Sequence, residues 1–553
     1  MKSRRDFIRT SALLTGGLAL TPARIWGYSS SISTDGFTLH PFIEANPDAV
    51  FIMRTIIDVK TNSIANKQAG RDFMQSVLIP RSVSEGGIPV TNNVVIKPNL
   101  TCRNNYDKYP GTEAEKLEQS MGIVSDVHFV NGMIESIQDL GVAPGNMYMR
   151  ERSCASHWSL AGYTELASIT GVDLKPLEGE AKDLAVSDVQ WIDFPGGIWF
   201  RKIAYLYPVN APGSFLINVA KFKSHPVGCL TLAAKNLQGT MAYPYVQHCR
   251  ELDKTLKYDA SHVNPTAKTD IIRNYSKHVS DGIPRWDKPG DGLTWSCGLH
   301  QETWATRCID NHLASNVGLH VIEGIYGRDG DGFAFGPHVI EGVTDYTYAE
   351  DFMTNYIIFG KNAFHVDIIG HWLGGHEPGN VGLFHLAMER GASTHVNPEN
   401  IPVYEWDAEG NTVKKSYAKF ERYEIRTNYL RRNYNGQTEE EYHLCNEEFD
   451  YNNWDPTSTS SEPIKPAIFT LHQNFPNPFS YSTNIAYQLP EAGKVKIEII
   501  DMTGKTVDIL VDAFRLSGTH QVSWYTGNKP SGIYLCRMYY QGFVQTRSLQ
   551  LVR

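Results

Sequence analysis

Residues 215–240 read FLINVAKFKSHPVGCLTLAAKNLQGT, and they limit the available folds more than any other run in the chain. Phe215–Ala220 is an apolar stretch of strand length, bounded by Gly213 and Lys221. Leu230, Ala233, Ala234 and Leu237 then recur at helical spacing, and Gly239 stands where a helix would stop. Between strand and helix lies Lys221-Phe222-Lys223-Ser224-His225-Pro226. In an extended segment residues two apart share a face, so Lys221 and Lys223 point the same way. Ser224 reads as an N-cap, and the first turn of a helix leaves free N–H groups with partial positive charge. Lys235 and Asn236 follow on the helix. This junction suits a small anionic group such as phosphate or carboxylate.

A second unit has the same logic. Val94–Ile96 is a short β-branched strand. Asp126 can cap a helix whose apolar face is Val130, Met133, Ile134, Ile137 and Leu140. Gly141 ends it, Pro144 follows, and Met147–Met149 reads as the next strand. Val50–Ile57 reads as a further strand and Gly70–Ile79 as a further helix. Strand, helix, strand is a βαβ unit, so the core is expected to be α/β with a mostly parallel sheet. Ligands of such sheets bind beyond the C-terminal strand ends. There the sequence places Lys97 and Asn99, then Glu151, then Lys221 onward. Lys97, Asn99, Lys221, Lys223, Lys235 and Asn236 are therefore the candidate binding residues, with His225, Glu151 and Asp367 as candidate catalytic groups.

Several motifs in order carry a family resemblance. Lys221-Phe222-Lys223-Ser224-His225 followed by Lys235-Asn236-Leu237-Gln238-Gly239, and Val94–Leu100 with its Lys97-Pro98-Asn99 turn, resemble motifs of the domain-of-unknown-function 362 family. Leu319–Gly332 resembles that family's strand and Gly-rich loop, with Glu323 where an aspartate is usual. His365–His371 and Ala387–Gly391 resemble its later helices, so the likeness spans about 94–444. It implies no particular reaction. Some members are linked to iron–sulfur domains, but none of the eight cysteines here falls in a C-x-x-C, which excludes a ferredoxin-type cluster signature and a zinc ribbon. A divalent metal is a candidate cofactor, with His365, Asp367, His371 and His376 close together in the chain, although their spacing matches no metal motif.

Residues 241–311 hold Trp286, Trp295, Trp304, His248, His262, His278 and His300 and few regular apolar patterns. Such an irregular insertion is expected as a lid or as an extension packed over the core. The net charge of −9 argues against general nucleic-acid binding. Beyond the N-terminus no apolar run is long enough to span a bilayer, so no transmembrane anchor is expected.

The two ends read as delivery signals. Within 1–30, Ser-Arg-Arg-x-Phe-Ile-Arg and the small apolar run after it resemble a twin-arginine export signal, with a cleavage position after Thr21-Pro22-Ala23. The α/β core is expected over 31–451, and the Pro-, Ser- and Thr-rich residues 452–466 as a linker. From 467 to 553, alternating strands predict an all-β sandwich. Asn474-Phe475-Pro476-Asn477-Pro478-Phe479, Asp501-Met502-Thr503-Gly504-Lys505 and Pro530-Ser531-Gly532-Ile533-Tyr534 resemble the C-terminal sorting domain of the type IX (Por) secretion system. The resemblances imply the twin-arginine translocase and the type IX machinery as partners, and an exported protein at the surface or in the medium. For the core, the first expectation is an enzyme acting on a small anionic or carbonyl-bearing substrate. The alternatives are a non-catalytic binder using the aromatic insertion, and a redox protein loaded with its cofactor before export.

Overall fold

In the computed structural model a ten-stranded sheet runs through the core. The residues described are 35–552 except 102–106, 108, 110, 244–248, 250–251, 253–261, 291–296, 340–346, 435, 453, 455–468, 490–492, 516–517 and 541–542. The twin-arginine stretch and nearly all of the linker lie outside them.

The central strand is Phe215–His225, and both its neighbours, Val94–Pro98 and Val317–Arg328, run parallel to it. Outward from Val94–Pro98 come Met147–Met149 and Asp173–Leu174, also parallel. On the other side, Asp351–Gly360 pairs antiparallel with Val317–Arg328, and Val50–Arg54 follows it. The mostly parallel α/β core is therefore present.

Alternation along the central strand divides the interior. Ile217 and Val219 face helices Ser63–Val77 and Val127–Asp139, packing with Phe73, Phe129 and Ile134. Ala220 and Phe222 face the other layer, where they pack with Trp286, Trp304 and Phe364. Asp126 caps its helix as expected, accepting the N–H groups of His128 and Phe129 at 2.9 Å each. Such caps contribute about 1 kcal/mol.

Two local expectations are corrected. The strand does not stop at Ala220: it continues to His225 and turns back through Cys229–Thr231. Burial of its lysines is tolerated because each finds a partner: Lys221 bonds Glu323, and Lys223 bonds the Gly332 carbonyl oxygen at 3.0 Å beneath the Phe333 ring. Gly332 has φ +78, and a Cβ there would sit 2.0 Å from the Ser224 carbonyl oxygen, so the Gly-rich loop lies directly on this strand. Ser224 consequently does not cap a helix; its hydroxyl donates to the Gly330 carbonyl oxygen at 2.6 Å.

The second correction concerns 241–311, which is more regular than its sequence suggests. It contains helices Ala267–Ser280 and Gly298–Ala314. Trp286 and Trp304 are buried core residues, and the Trp286 indole donates to Glu302 at 2.8 Å. Trp295 and His248 lie outside the described residues.

The tail is all β. A three-stranded and a four-stranded antiparallel sheet enclose their own core, with Ile485, Val495, Ile497, Ile499, Trp524 and Met538 inside. Among the described residues no helix is long and apolar enough to cross a membrane.

Candidate functional site

Lys97 ends the strand beside the central one, in register with Asn218. Its ammonium donates to the Glu151 carboxylate and to Asn236 Oδ1 at 2.7 Å. Asn99 Nδ2 donates to the same Asn236 oxygen at 2.9 Å, and Asn236 Nδ2 donates to Asn218 Oδ1 at 2.8 Å. Two strand ends, the central strand at Asn218 and one short helix thus meet at a single polar cluster. Lys97, Asn99, Glu151 and Asn236 are all buried. Gly239 makes the approach of Glu151 possible: a Cβ there would sit 1.9 Å from Glu151 Oε1. The Asn99 side-chain oxygen is buried without a hydrogen-bond partner.

The short helix is Ala233–Asn236, a single turn. Its free N–H groups are taken by Asp367, which accepts from Ala233 at 2.6 Å and Ala234 at 2.9 Å. Burial raises the Asp367 carboxyl to about 8 against the opposing pull of those two backbone bonds. The turn presents Asn236 and Lys235. Lys235 is 7% exposed and has no ion-pair partner among the described residues. Its charge reaches Lys97, Glu151 and His225.

Charge in this cluster is tuned by burial. Burial pushes Lys97 down to about 8; Glu151 opposes the shift and Lys235 adds to it. Burial also raises Glu151, with Lys97 pulling the other way. Burial, reinforced by Lys235 and Lys223, holds His225 well below the usual imidazole range. Its Nδ1 accepts the N–H groups of Val227 (3.0 Å) and Gly228 (3.1 Å), so the neutral ring carries its proton on Nε2. Lys97, Glu151 and Lys235 thus set two amines against one carboxylate in a buried setting.

Lys221 belongs elsewhere. Three residues beyond Asn218, it points through the opposite face of the sheet. There it pairs with Glu323 at 2.8 and 3.0 Å and lies 3.3 Å from the centre of the Tyr326 ring. Glu323 also accepts the Asp126 N–H at 3.0 Å, and Tyr326 donates to Asp126 at 2.9 Å. Lys221 and Glu323 are fully buried, and the unit joins the sheet to the start of helix Val127–Asp139.

The four metal candidates scatter. His365 contacts the Asp48 carbonyl oxygen at 2.8 Å and Thr394 at 3.0 Å. His371 Nδ1 meets the Asp367 carbonyl oxygen at 2.8 Å. His376 instead lies with Cys229 and Cys445, one ligand atom from each falling within 4.8 Å of the others. The two cysteines carry no local motif, since they are far apart in the chain and meet only through the fold. Cys229 and Cys445 are in no disulfide, and Cys102 lies outside the described residues.

Two families match the chain. One, described as "Domain of unknown function (DUF362)", matches residues 94–371, and the other, described as "Secretion system C-terminal sorting domain", matches residues 473–550. No curated protein matches it. The first match covers all of the polar cluster, and the second covers most of the tail's two sheets. A sorting domain of this kind marks the chain for export, to the cell surface or the medium.

Proposed function

Since the chain belongs to the DUF362 family, whose description names no activity, we propose that it is an exported enzyme acting on a small anionic substrate held at Lys97, Lys235, Asn99 and Asn236. The observation that carries this reading is the charge balance. Two buried lysines share one buried carboxylate, and Lys235 has no ion-pair partner among the described residues. A buried cation without a counter-charge is costly, and an anionic ligand would supply that charge. The Asn99 oxygen left without a partner then accepts a donor from the ligand.

In this reading Lys235 binds the anionic group. The Lys97–Glu151 pair gives or takes a proton, because burial has drawn both toward neutral pH. The His225 Nε2–H is a neutral donor at the edge of the cluster. Asp367 positions the turn that carries Lys235 and Asn236. The twin-arginine translocase for the first crossing and the type IX machinery for the second complete the proposed route. The alternative of a binder using the aromatic insertion is weakened by the burial of Trp286 and Trp304.

The test is thermal unfolding of the full chain with inorganic phosphate and a panel of short carboxylates and phosphoesters. At least one class should raise the melting temperature in a concentration-dependent way, as ligands of the native state do. Lys235→Ala should remove that shift while leaving the unliganded chain folded. A panel without effect, or a shift that survives Lys235→Ala, would end the proposal.

A further inference from the structure

Cys229 and Cys445 lie outside the polar cluster, and nothing in the reading above uses them. We propose that they are an oxidation site: after export the two thiols close into a disulfide that locks the segment around residue 445 onto the hairpin of the central strand.

Four observations support it. First, the two sulfurs are neighbours although the residues are far apart in the chain. They lie within 4.8 Å of each other, and both residues are fully buried. A disulfide needs the sulfurs at about 2.05 Å, so the side chains turn toward each other as it forms. Second, Cys445 is held by its backbone. His376 Nδ1 accepts the Cys445 N–H at 3.1 Å, while His376 Nε2 donates to the Ile425 carbonyl oxygen at 2.9 Å. The Cys445 carbonyl oxygen accepts the Glu377 N–H at 2.7 Å. Both backbone groups of Cys445 are thus fixed, which keeps its sulfur beside Cys229.

Third, Cys445 Sγ lies 3.6 Å from His443 Nε2, and Arg285 approaches that nitrogen at 3.3 Å. A thiol beside an imidazole and a guanidinium is drawn toward its thiolate, the form that attacks a disulfide. Fourth, Cys229 stands at φ 61, a conformation that glycine adopts at less cost. What a cysteine adds at that position is its thiol. The sorting domain sends the chain out of the cytoplasm, to surroundings in which disulfides form and persist.

The oxidant is itself a disulfide, carried by a small molecule or by a thiol oxidoreductase. The Cys445 thiolate attacks one oxidant sulfur, the oxidant's S–S bond breaks, and its other half leaves as a thiolate. Cys229 then gives up its proton and attacks the Cys445 sulfur, expelling the second half. The two cysteines have lost two electrons and two protons, and the oxidant has become two thiols. Both cysteines are shielded, so the step follows local opening. The described residues of 420–452 contain no helix or strand, and His443 is tied back to Thr427 by two backbone bonds of 2.8 and 2.9 Å. Segments of this kind open before the sheet does.

For the test, the full-length chain is purified under reductant, freed of it, and held with oxidised glutathione in urea below its unfolding transition. Remaining thiols are blocked with N-ethylmaleimide, and unreduced peptides are mapped by mass spectrometry. A peptide joining Cys229 to Cys445 is expected, with a yield that rises with urea. Oxidation should raise the melting temperature by a few degrees, dithiothreitol should reverse the rise, and Cys445→Ser should abolish it. Recovery of both cysteines as maleimide adducts, or of either joined to a different cysteine, overturns the proposal. So does a joined peptide that leaves the melting temperature unchanged, because the segment is then not locked. The wild-type map and melt decide the matter even if the serine variant does not fold. No substrate enters the experiment, so its outcome is independent of the anion-binding reading.

Discussion

The Asp367 carboxylate closes the N-terminus of the one-turn helix at Ala233, 134 residues earlier in the chain, with a bond of 2.6 Å. A single turn has little stability of its own, because nucleation is unfavourable. The position of Lys235 and Asn236 therefore depends on this bond and its companion to Ala234 at 2.9 Å. Asp367→Ala leaves two buried N–H groups without acceptors, which should cost about 1–3 kcal/mol each. Urea unfolding should show that loss. Anion-induced stabilisation should fall with it, whereas Asp367→Asn should recover part of both by keeping one acceptor.

Anion binding should weaken as pH rises through about 8, where Lys97 gives up its proton in the unliganded chain. The sign follows from burial, which lowers an amine's pKa by disfavouring its charged form. Bound anion favours the charged amine, so the fall in affinity should begin near that pH and extend above it. Titration calorimetry at closely spaced pH values checks this, and Lys97→Met should flatten the profile. An affinity that rises with pH would contradict the assignment of Lys97.

Much of the core was legible from period and capping. Strand 94–98, the Asp126 cap and strand 147–149 all follow from local rules. The polar cluster was legible too, since strand ends of a parallel sheet converge by geometry. Lys221 shows where this reasoning stops. Sequence gives its strand but not the register, and register decides which face a side chain takes. Lys97 stands opposite Asn218, so Lys221, three residues on, had to leave through the other face. Ser224 resembles a helix cap only if the strand ends before it, and the strand continues because Glu323 and the Gly332 carbonyl meet the lysines at 221 and 223, contacts that carry no local signal. Cys229 and Cys445 had no local signal, because only tertiary packing makes them neighbours.

His278 should make stability fall as the solution turns alkaline. Burial disfavours its charge, but bonds to Glu302 and Glu389, at 2.7 Å each, raise it to about 9. In the unfolded chain it titrates near 6.5. The folded state thus holds an extra proton between those values, so the contribution is full below about pH 6.5 and is lost as pH rises toward about 9. The difference in unfolding free energy between wild type and His278→Gln should shrink by on the order of 2 kcal/mol across that window. Comparing the two chains cancels other groups that titrate there. A difference independent of pH would show that His278 is neutral in the fold.

The last prediction separates the two buried lysine units. Lys221 and Glu323 are both inaccessible, and Glu323 also accepts the Asp126 N–H. Lys221→Ala leaves that buried carboxylate without its counter-charge, which should cost about 3–5 kcal/mol. Replacing both partners with apolar residues of similar volume, as in Lys221→Met with Glu323→Leu, should recover most of the loss, because neither charge then needs solvation. Lys235→Ala should do the reverse: a small change in stability, or a gain from removing an uncompensated cation, with anion binding abolished. Chemical unfolding of the four chains, with and without phosphate, distinguishes the two patterns. If Lys221→Ala folded as well as wild type while anion binding was lost, the ammonium of Lys221 would belong with the polar cluster after all, and the division by sheet face would fail.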